Sequence, residues 1–206
     1  MSSTVLAVFV PTFVAVSVTP GMCMTLSMTL GMTIGVRRTL WMMAGELIGV
    51  GLVAGASVVG VAAIMLQYPM LFLALKYLGG LYLCYLGVQM WMAKGKMAID
   101  FESGFSGKMS APQLALQGFV TAVANPKGWA FFIALLPPFI DQQRPLPGQL
   151  SLLLGIILCI EFISLVLYAS GGRTLNHLLQ KSDNVRLLNR IAGTLMFAVG
   201  VWLAVD

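Results

Sequence analysis

The composition of this chain is that of a membrane protein. Its 206 residues are 59% hydrophobic and 9% charged, and its mean hydropathy is +0.92. Soluble domains carry about 25% charged residues, whereas apolar runs of about 18 or more residues span membranes. Six spans of about 20 residues each would use roughly 120 residues and leave no room for a soluble catalytic domain. We therefore expect one transmembrane domain over residues 1–206, not an enzyme.

The net charge of +5 is better explained by orientation in a membrane than by nucleic-acid binding. When the predicted loops are assigned alternately to two sides, one side receives Arg144 alone and the other receives nine basic residues. Basic loops stay in the cytoplasm, so both termini are expected outside it. The nine are Arg37, Arg38, Lys94, Lys96, Lys108, Arg173, Lys181, Arg186 and Arg190.

The first half of the chain contains three predicted spans, near residues 4–32, 40–66 and 69–92. A straight helix over the first would be about 43 Å long, against a hydrocarbon core of about 30 Å. We therefore expect it to break at Thr19-Pro20-Gly21. Residues 35–38 are predicted to form a loop. In span two, Gly45, Gly49, Ala56 and Gly60 lie near one face and predict close packing of helix backbones.

The second half begins after a polar segment, residues 93–112. Ser110 and Gln113 have the spacing of a capping box, which predicts that span four starts there. A polar stripe follows at spacings of four, through Gln117, Thr121 and Asn125. The stripe ends at a second break, Asn125-Pro126-Lys127, and Pro137-Pro138 closes the span. Span five (150–170), a polar segment (171–183) and span six (185–205) complete the chain.

Three spans in each half imply that the second half enters the membrane from the opposite side. We therefore predict an all-α polytopic membrane protein of six transmembrane helices, built as two inverted three-helix repeats. Repeat one covers about residues 4–92 and repeat two about 113–205. Helices 1 and 4 are both broken, and paired broken helices are typical of a transporter's binding site. The small-residue faces of span two permit internal packing or a homo-oligomer.

The second break has a proline and a lysine next to each other inside a predicted membrane span. Pro126 removes a backbone hydrogen bond and frees the carbonyl of Ala122, which must find a partner in hydrocarbon. A lysine at that depth costs about 2.5–3.5 kcal/mol on insertion scales. Lys127 therefore either pairs with a cargo carboxylate or a glutamate, or holds free carbonyls. Half-helix termini and freed carbonyls together bind both ends of a zwitterion, so a small amino acid fits here.

Two carboxylates lie inside predicted spans, Glu46 and Glu161. Intramembrane carboxylates most often act in proton or ion relays, so we place both in the substrate and proton pathway. Alternatively, Glu46 is close enough to the end of its span to reach the membrane surface. The two glutamates do not occupy matching positions relative to the two prolines, so the repeat does not pair them.

Other classes fit the residues less well. A thiol-redox electron carrier needs one cysteine from each half, but Cys23 follows Pro20 by three residues whereas Trp129 follows Pro126. Cys23, Cys84 and Cys159 each lie in an apolar run and are expected to be unpaired. A cation exporter would need clustered ligands at the breaks. We expect no metal and no cofactor, although export of another small solute or a cation stays open.

The chain resembles the LysE/RhtB family of small-solute exporters over nearly its whole length. The resemblance implies a six-span bacterial inner-membrane exporter of amino acids and related metabolites, driven by the proton gradient. It does not identify the cargo, and the few intramembrane charges favour a neutral amino acid. The matching segments are Thr19-Pro20-Gly21, residues 31–49 with Arg37-Arg38, residues 78–87, residues 118–139 with Asn125-Pro126-Lys127, Tyr168 and residues 189–204.

Overall fold

The computed structural model of the chain describes residues 3–93, 109–136, 139–140, 145–180 and 182–205. Within these ranges the protein is all-helical and contains no strand. The eight helices are α1 (Ser3–Val18), α2 (Met22–Ile34), α3 (Val36–Gln67), α4 (Pro69–Met92), α5 (Ala111–Val123), α6 (Pro126–Leu135), α7 (Leu146–Gln180) and α8 (Ser182–Val205).

Several of these helices are long and apolar enough to cross a membrane. Three described segments meet that condition singly, residues 36–60, 146–172 and 183–202. Helices α1 and α2 meet it together as a fourth, bent by 54° between them. The other two predicted spans are helical over α4 and over α5 with α6. The structure therefore agrees with an all-α polytopic membrane protein, and the six-span inverted repeat stays a prediction.

Both predicted breaks lie where the prolines are. Helix α1 ends at Val18 and α2 begins at Met22, so Thr19-Pro20-Gly21 forms the link. Helix α5 ends at Val123, and Pro126 is the first residue of α6. Proline is tolerated at a first helical position because the N–H that it lacks has no partner there anyway. Pro126 therefore begins α6 without loss of a hydrogen bond, whereas Pro20 lies in the link before α2.

Two predicted loops are wrong in extent. Only Gly35, whose φ of 82° is in the left-handed region, interrupts the helices near residues 35–38, so Arg37 and Arg38 belong to α3. The predicted polar segment 171–183 is largely helical, because α7 continues to Gln180 past an interruption at Gly172 (φ 39°). In both places a single glycine at positive φ turns the chain, and the polar residues after it continue as helix.

Glycines bring helices of the first half into backbone contact with helices of the second. Between α3 and α5, a Cβ on Gly118 would overlap the carbonyl of Met42, and one on Gly45 would overlap that of Ala115. A Cβ on Gly49 would lie 2.8 Å from the Cβ of Ala122. The predicted role of Gly45 and Gly49 is confirmed, whereas a Cβ on Gly60 would meet nothing within 4 Å.

Close backbone contacts at glycines also join two further helix pairs. Between α4 and α8, a Cβ on Gly87 would lie 2.6 Å from the carbonyl oxygen of Gly193, and the reverse distance is also 2.6 Å. Between α2 and α7, Gly31 packs on the backbone of Ala169. All three glycine contacts cross from one half of the chain to the other, so the two halves interlock.

Two buried apolar clusters flank the helix breaks. One is aromatic and includes Phe9, Phe13, Phe131 and Phe139, with the rings of Phe9 and Phe139 edge to face at 5.0 Å. The other is rich in methionine and joins α2, α3 and α7. Because Phe13 in the first cluster and Met24 in the second also line one internal cavity, the space between the clusters holds the candidate site.

We expect Gly118→Ala to destabilise the protein by about 1–3 kcal/mol, the usual cost of overpacking a close contact. The added methyl group would overlap the carbonyl of Met42 and push α5 away from α3. Thermal unfolding of the detergent-purified protein measures the effect. Gly60→Ala is the matched control, since its methyl group meets nothing. Equal melting temperatures for the two variants would show that the α3–α5 contact is not tight.

Candidate functional site

The carbonyls freed at the first break are bound by protein side chains. Tyr168 of α7 donates its hydroxyl to the carbonyl of Val18 at 2.6 Å. Thr19 donates to the carbonyl of Ala15 at 2.7 Å. The carbonyl of Gly21 is not free, because it accepts the backbone N–H of Thr25 at 2.9 Å and the Thr25 hydroxyl at 2.8 Å. Backbone groups without water must be satisfied internally, so these hydroxyls allow the break to exist at membrane depth.

The second break uses its own backbone and an indole. The carbonyl of Ala122 accepts the N–H of Asn125 at 3.2 Å, and Trp129 donates its indole N–H to the carbonyl of Val123 at 2.8 Å. Trp129 thus has the carbonyl-binding role that the sequence left open for Lys127. The sequence analysis mentioned Trp129 only because it occupies the position where a thiol-redox carrier would need a second cysteine. An indole donor one turn past a proline break was the signal for its role.

One cavity of about 70 Å³ lies between the two breaks. Ligand pockets usually measure about 300–1,000 Å³, so in this conformation the cavity has room for a few water molecules only. Cargo of amino-acid size would require the lining helices to move apart. The polar residues that line it are Ser17, Thr19, Cys23, Glu46, Asn125 and Glu161; Phe13, Val16, Val50, Val53, Phe131 and Phe132 form much of its apolar wall.

The predicted pathway residues separate into three groups. Thr19, Gly21, Glu46, Asn125 and Glu161 all line this cavity. Pro20 shapes the first break without lining the cavity, and Gln117 and Thr121 lie outside the lining as well. The backbone of Pro126 and Lys127 begins α6, but their side chains lie outside the part of the chain that the structure describes.

The polar stripe of α5 therefore reaches the cavity only at its last residue. At its start, the N–H of Ser110 donates to Oε1 of Gln113 at 2.8 Å, which confirms the predicted capping box. In the middle, Thr121 donates to the carbonyl of Gln117 at 2.8 Å. The side-chain oxygen of Gln117 is buried and accepts no hydrogen bond from the described residues. Only Asn125 contributes to the cavity wall.

Glu46 is fully buried at the cavity, with an exposed fraction of 0%. Neither carboxyl oxygen has a hydrogen-bond partner among the residues that the structure describes. The Glu161 carboxyl and the Cys23 thiol lie close enough to Glu46 to interact with it electrostatically. The alternative in which Glu46 reaches the membrane surface is therefore not the arrangement found. Its carboxyl faces the interior.

Glu161 is held in place by the first break. Ser17, in the last turn of α1, donates its hydroxyl to Oε2 of Glu161 at 2.7 Å. The two glutamates come together because α3 and α7 both border the first break, although their positions in the two halves do not match. Sequence reasoning missed Ser17, and a hydroxyl three residues before the proline was the only signal available. Ser17 links the helix break to the carboxyl pair.

The three cysteines are far apart in the fold. Cys23 is buried in the cavity wall. Cys84 lies 3.7 Å from the carbonyl of Phe197 between α4 and α8, and Cys159 is exposed on α7. Since only Cys23 is near a break, the arrangement offers no thiol pair for electron transfer.

Comparison with known proteins adds independent information. Residues 14–206 match the family model described as LysE type translocator. A homoserine/homoserine lactone efflux protein of Salmonella typhi is 29% identical, covering 79% of this chain and 77% of its own. A Vibrio cholerae membrane protein of uncharacterized function is 27% identical over 94% and 93% of the two chains. A leucine efflux protein of Klebsiella pneumoniae is 26% identical over 82% and 80%.

No solved structure matches this chain. The family match, in contrast, covers all but the first 13 residues. It extends over both helix breaks, the cavity and the close helix contacts, and its members are translocators, not enzymes. The chain belongs to the LysE-type translocator family.

Proposed function

We propose that this protein is a secondary active exporter of amino acids or related small metabolites, and that its cargo binds between the two proline breaks. The observation that carries the proposal is the single cavity to which both breaks contribute, through Thr19 and Gly21 on one side and Asn125 and Gly128 on the other. Broken helices expose backbone and helix termini at the midplane, which suits a small polar solute.

The relatives support a small amine-containing cargo. Two of them are named for efflux of homoserine or its lactone and of leucine, at 29% and 26% identity. The cavity wall is mostly apolar, with few charged groups among its described side chains. We therefore favour a neutral amino acid. Family membership alone does not distinguish between neighbouring cargoes.

We further propose that the proton gradient drives export, with Glu46 and Glu161 as the proton-carrying groups. Both carboxyls line the cavity, and Glu46 has no partner there among the described residues. The excess of basic loops supports an orientation with both termini in the periplasm, and the membrane that we propose is the bacterial inner membrane. Six spans in two inverted repeats would allow the cavity to open to either side in turn.

In cells that overexpress the protein, we expect one amino acid to accumulate in the medium and this rise to disappear with Lys127→Ala. The lysine follows the proline of the second break and would bind the cargo carboxylate. Metabolite profiling inside and outside the cells measures both effects. Lys108→Ala, a change in the polar segment between the halves, is the control. Full export by the Lys127→Ala protein would exclude that role for the lysine.

Glu161→Gln is expected to uncouple export from the proton gradient. The amide keeps the shape and can still accept the hydrogen bond from Ser17, but it cannot bind or release a proton. Uptake into inverted vesicles, with and without an imposed pH difference, measures the coupling. Cys159→Ser serves as the control because Cys159 is exposed on the same helix. If the variant keeps the wild-type response to the pH difference, Glu161 carries no coupling proton.

A further inference from the structure

We propose that the site binds its cargo through the ammonium group, and that this ammonium and a proton compete for the Glu46–Glu161 carboxyl pair. The inference rests on the proposed export function and specifies what the site recognises. It makes a primary ammonium group necessary for binding at the carboxyl pair, whereas a cargo carboxylate would bind elsewhere, at Lys127. The argument starts from the charges that the cavity contains.

Among the described side chains, every ionisable group that lines the cavity is an acid. Glu46 comes from α3, Glu161 from α7 and Cys23 from α2. The remaining polar neighbours are neutral, namely Ser17 of α1, Thr19 in the first break and Asn125 before α6. Two carboxylates in one poorly hydrated cavity repel each other, and a buried charge without a partner is costly. Glu46, to which no described residue donates a hydrogen bond, therefore needs a proton or an added cation to neutralise it.

The two carboxyls differ in what already contacts them. Oε2 of Glu161 accepts the Ser17 hydroxyl at 2.7 Å, which fixes that side chain against the first break. Both oxygens of Glu46 are buried, and no described residue donates to either of them. A fully buried carboxyl with two open acceptors at a cavity is a binding group for a donor that the protein itself does not supply. Glu46 is thus the primary contact and Glu161 the second.

A primary ammonium group meets these requirements. It has three donors and one positive charge, enough to bridge two carboxyls. The cavity of about 70 Å³ can take such a group without large changes. The apolar wall of Phe13, Val50, Phe131 and Phe132 lies beside the carboxyls. It would border the rest of a neutral cargo once the helices move apart.

Competition between a proton and an ammonium ion for one carboxyl pair leads to exchange of the two ions across the membrane. A proton and an ammonium ion have the same charge, so each can neutralise the ionised pair in place of the other. When the ammonium enters, one proton leaves the carboxyl pair for water on the side to which the cavity is open. When the ammonium leaves on the other side, one proton returns. Because an ionised and buried Glu46 without a partner is costly, passage without either ion is disfavoured, and the two movements are coupled.

Labelling by dicyclohexylcarbodiimide, which reacts with protonated carboxyls in apolar surroundings, tests the competition directly. The detergent-purified protein is labelled in the presence of neutral amino acids, their amides or their N-acetyl derivatives. Peptide mass mapping then locates the label. We expect Glu46 to be labelled, and the free amino acids and the amides to slow this labelling at least threefold. The N-acetyl derivatives, which lack the ammonium group, are expected to have no effect.

Variants and alternative outcomes make the test decisive. Glu46→Gln should lose the label from that peptide, and Glu46→Asp, which keeps the carboxyl, should regain both the label and the protection. Protection by N-acetyl derivatives but not by amides would show that the carboxylate is recognised, and would overturn the inference while leaving an exporter intact. No labelling of Glu46, or no protection by any compound, would also overturn it. The exporter proposal itself is judged separately, by the metabolite profiles.

Discussion

The structure depends on one constraint, that backbone polar groups in hydrocarbon need partners inside the protein. Each proline break frees carbonyls that a continuous helix would have used. At the first break Tyr168 reaches across from α7 to the carbonyl of Val18, and at the second the indole of Trp129 binds that of Val123. The two solutions differ, since one is supplied by a distant helix and the other by the next turn. The first break is thereby tied to the position of α7.

The contact between α7 and the end of α1 also connects the first break to the carboxyls. Helix α7 carries Tyr168, which holds the end of α1, and Glu161, which accepts the hydroxyl of Ser17 near the same end. A movement of α7 relative to α1 would therefore alter the backbone contact and the carboxyl contact together. The exchange proposed above would require such coupling, because opening of the cavity and the state of its carboxyls would have to change together. A rigid scaffold would have no use for a buried carboxyl without a donor.

The close glycine contacts show which parts of the bundle resist that movement. Pairs α3–α5, α4–α8 and α2–α7 each meet at backbone distance, at Gly118, Gly193 and Gly31. Each pair joins the two halves of the chain. Helix α7 is thus held firmly to α2 beyond the first break, whereas a Cβ on Gly155, nearer its start, would meet nothing within 4 Å. The contact at Gly31 therefore restricts α7 where it packs on α2.

The sequence by itself determined the class of protein, the helical content and both break positions, because hydropathy and the missing N–H of proline act locally. The capping box at Ser110 and the close packing at Gly45 and Gly49 followed from local patterns in the same way. The polar composition of residues 171–180 predicted a loop, but the structure has a helix there that continues past a turn at Gly172. Only the tertiary structure brought Glu46 and Glu161 together and gave Ser17 and Tyr168 their partners. Those contacts depend on how α1, α3 and α7 are arranged around the first break, and no spacing along the chain encodes that arrangement.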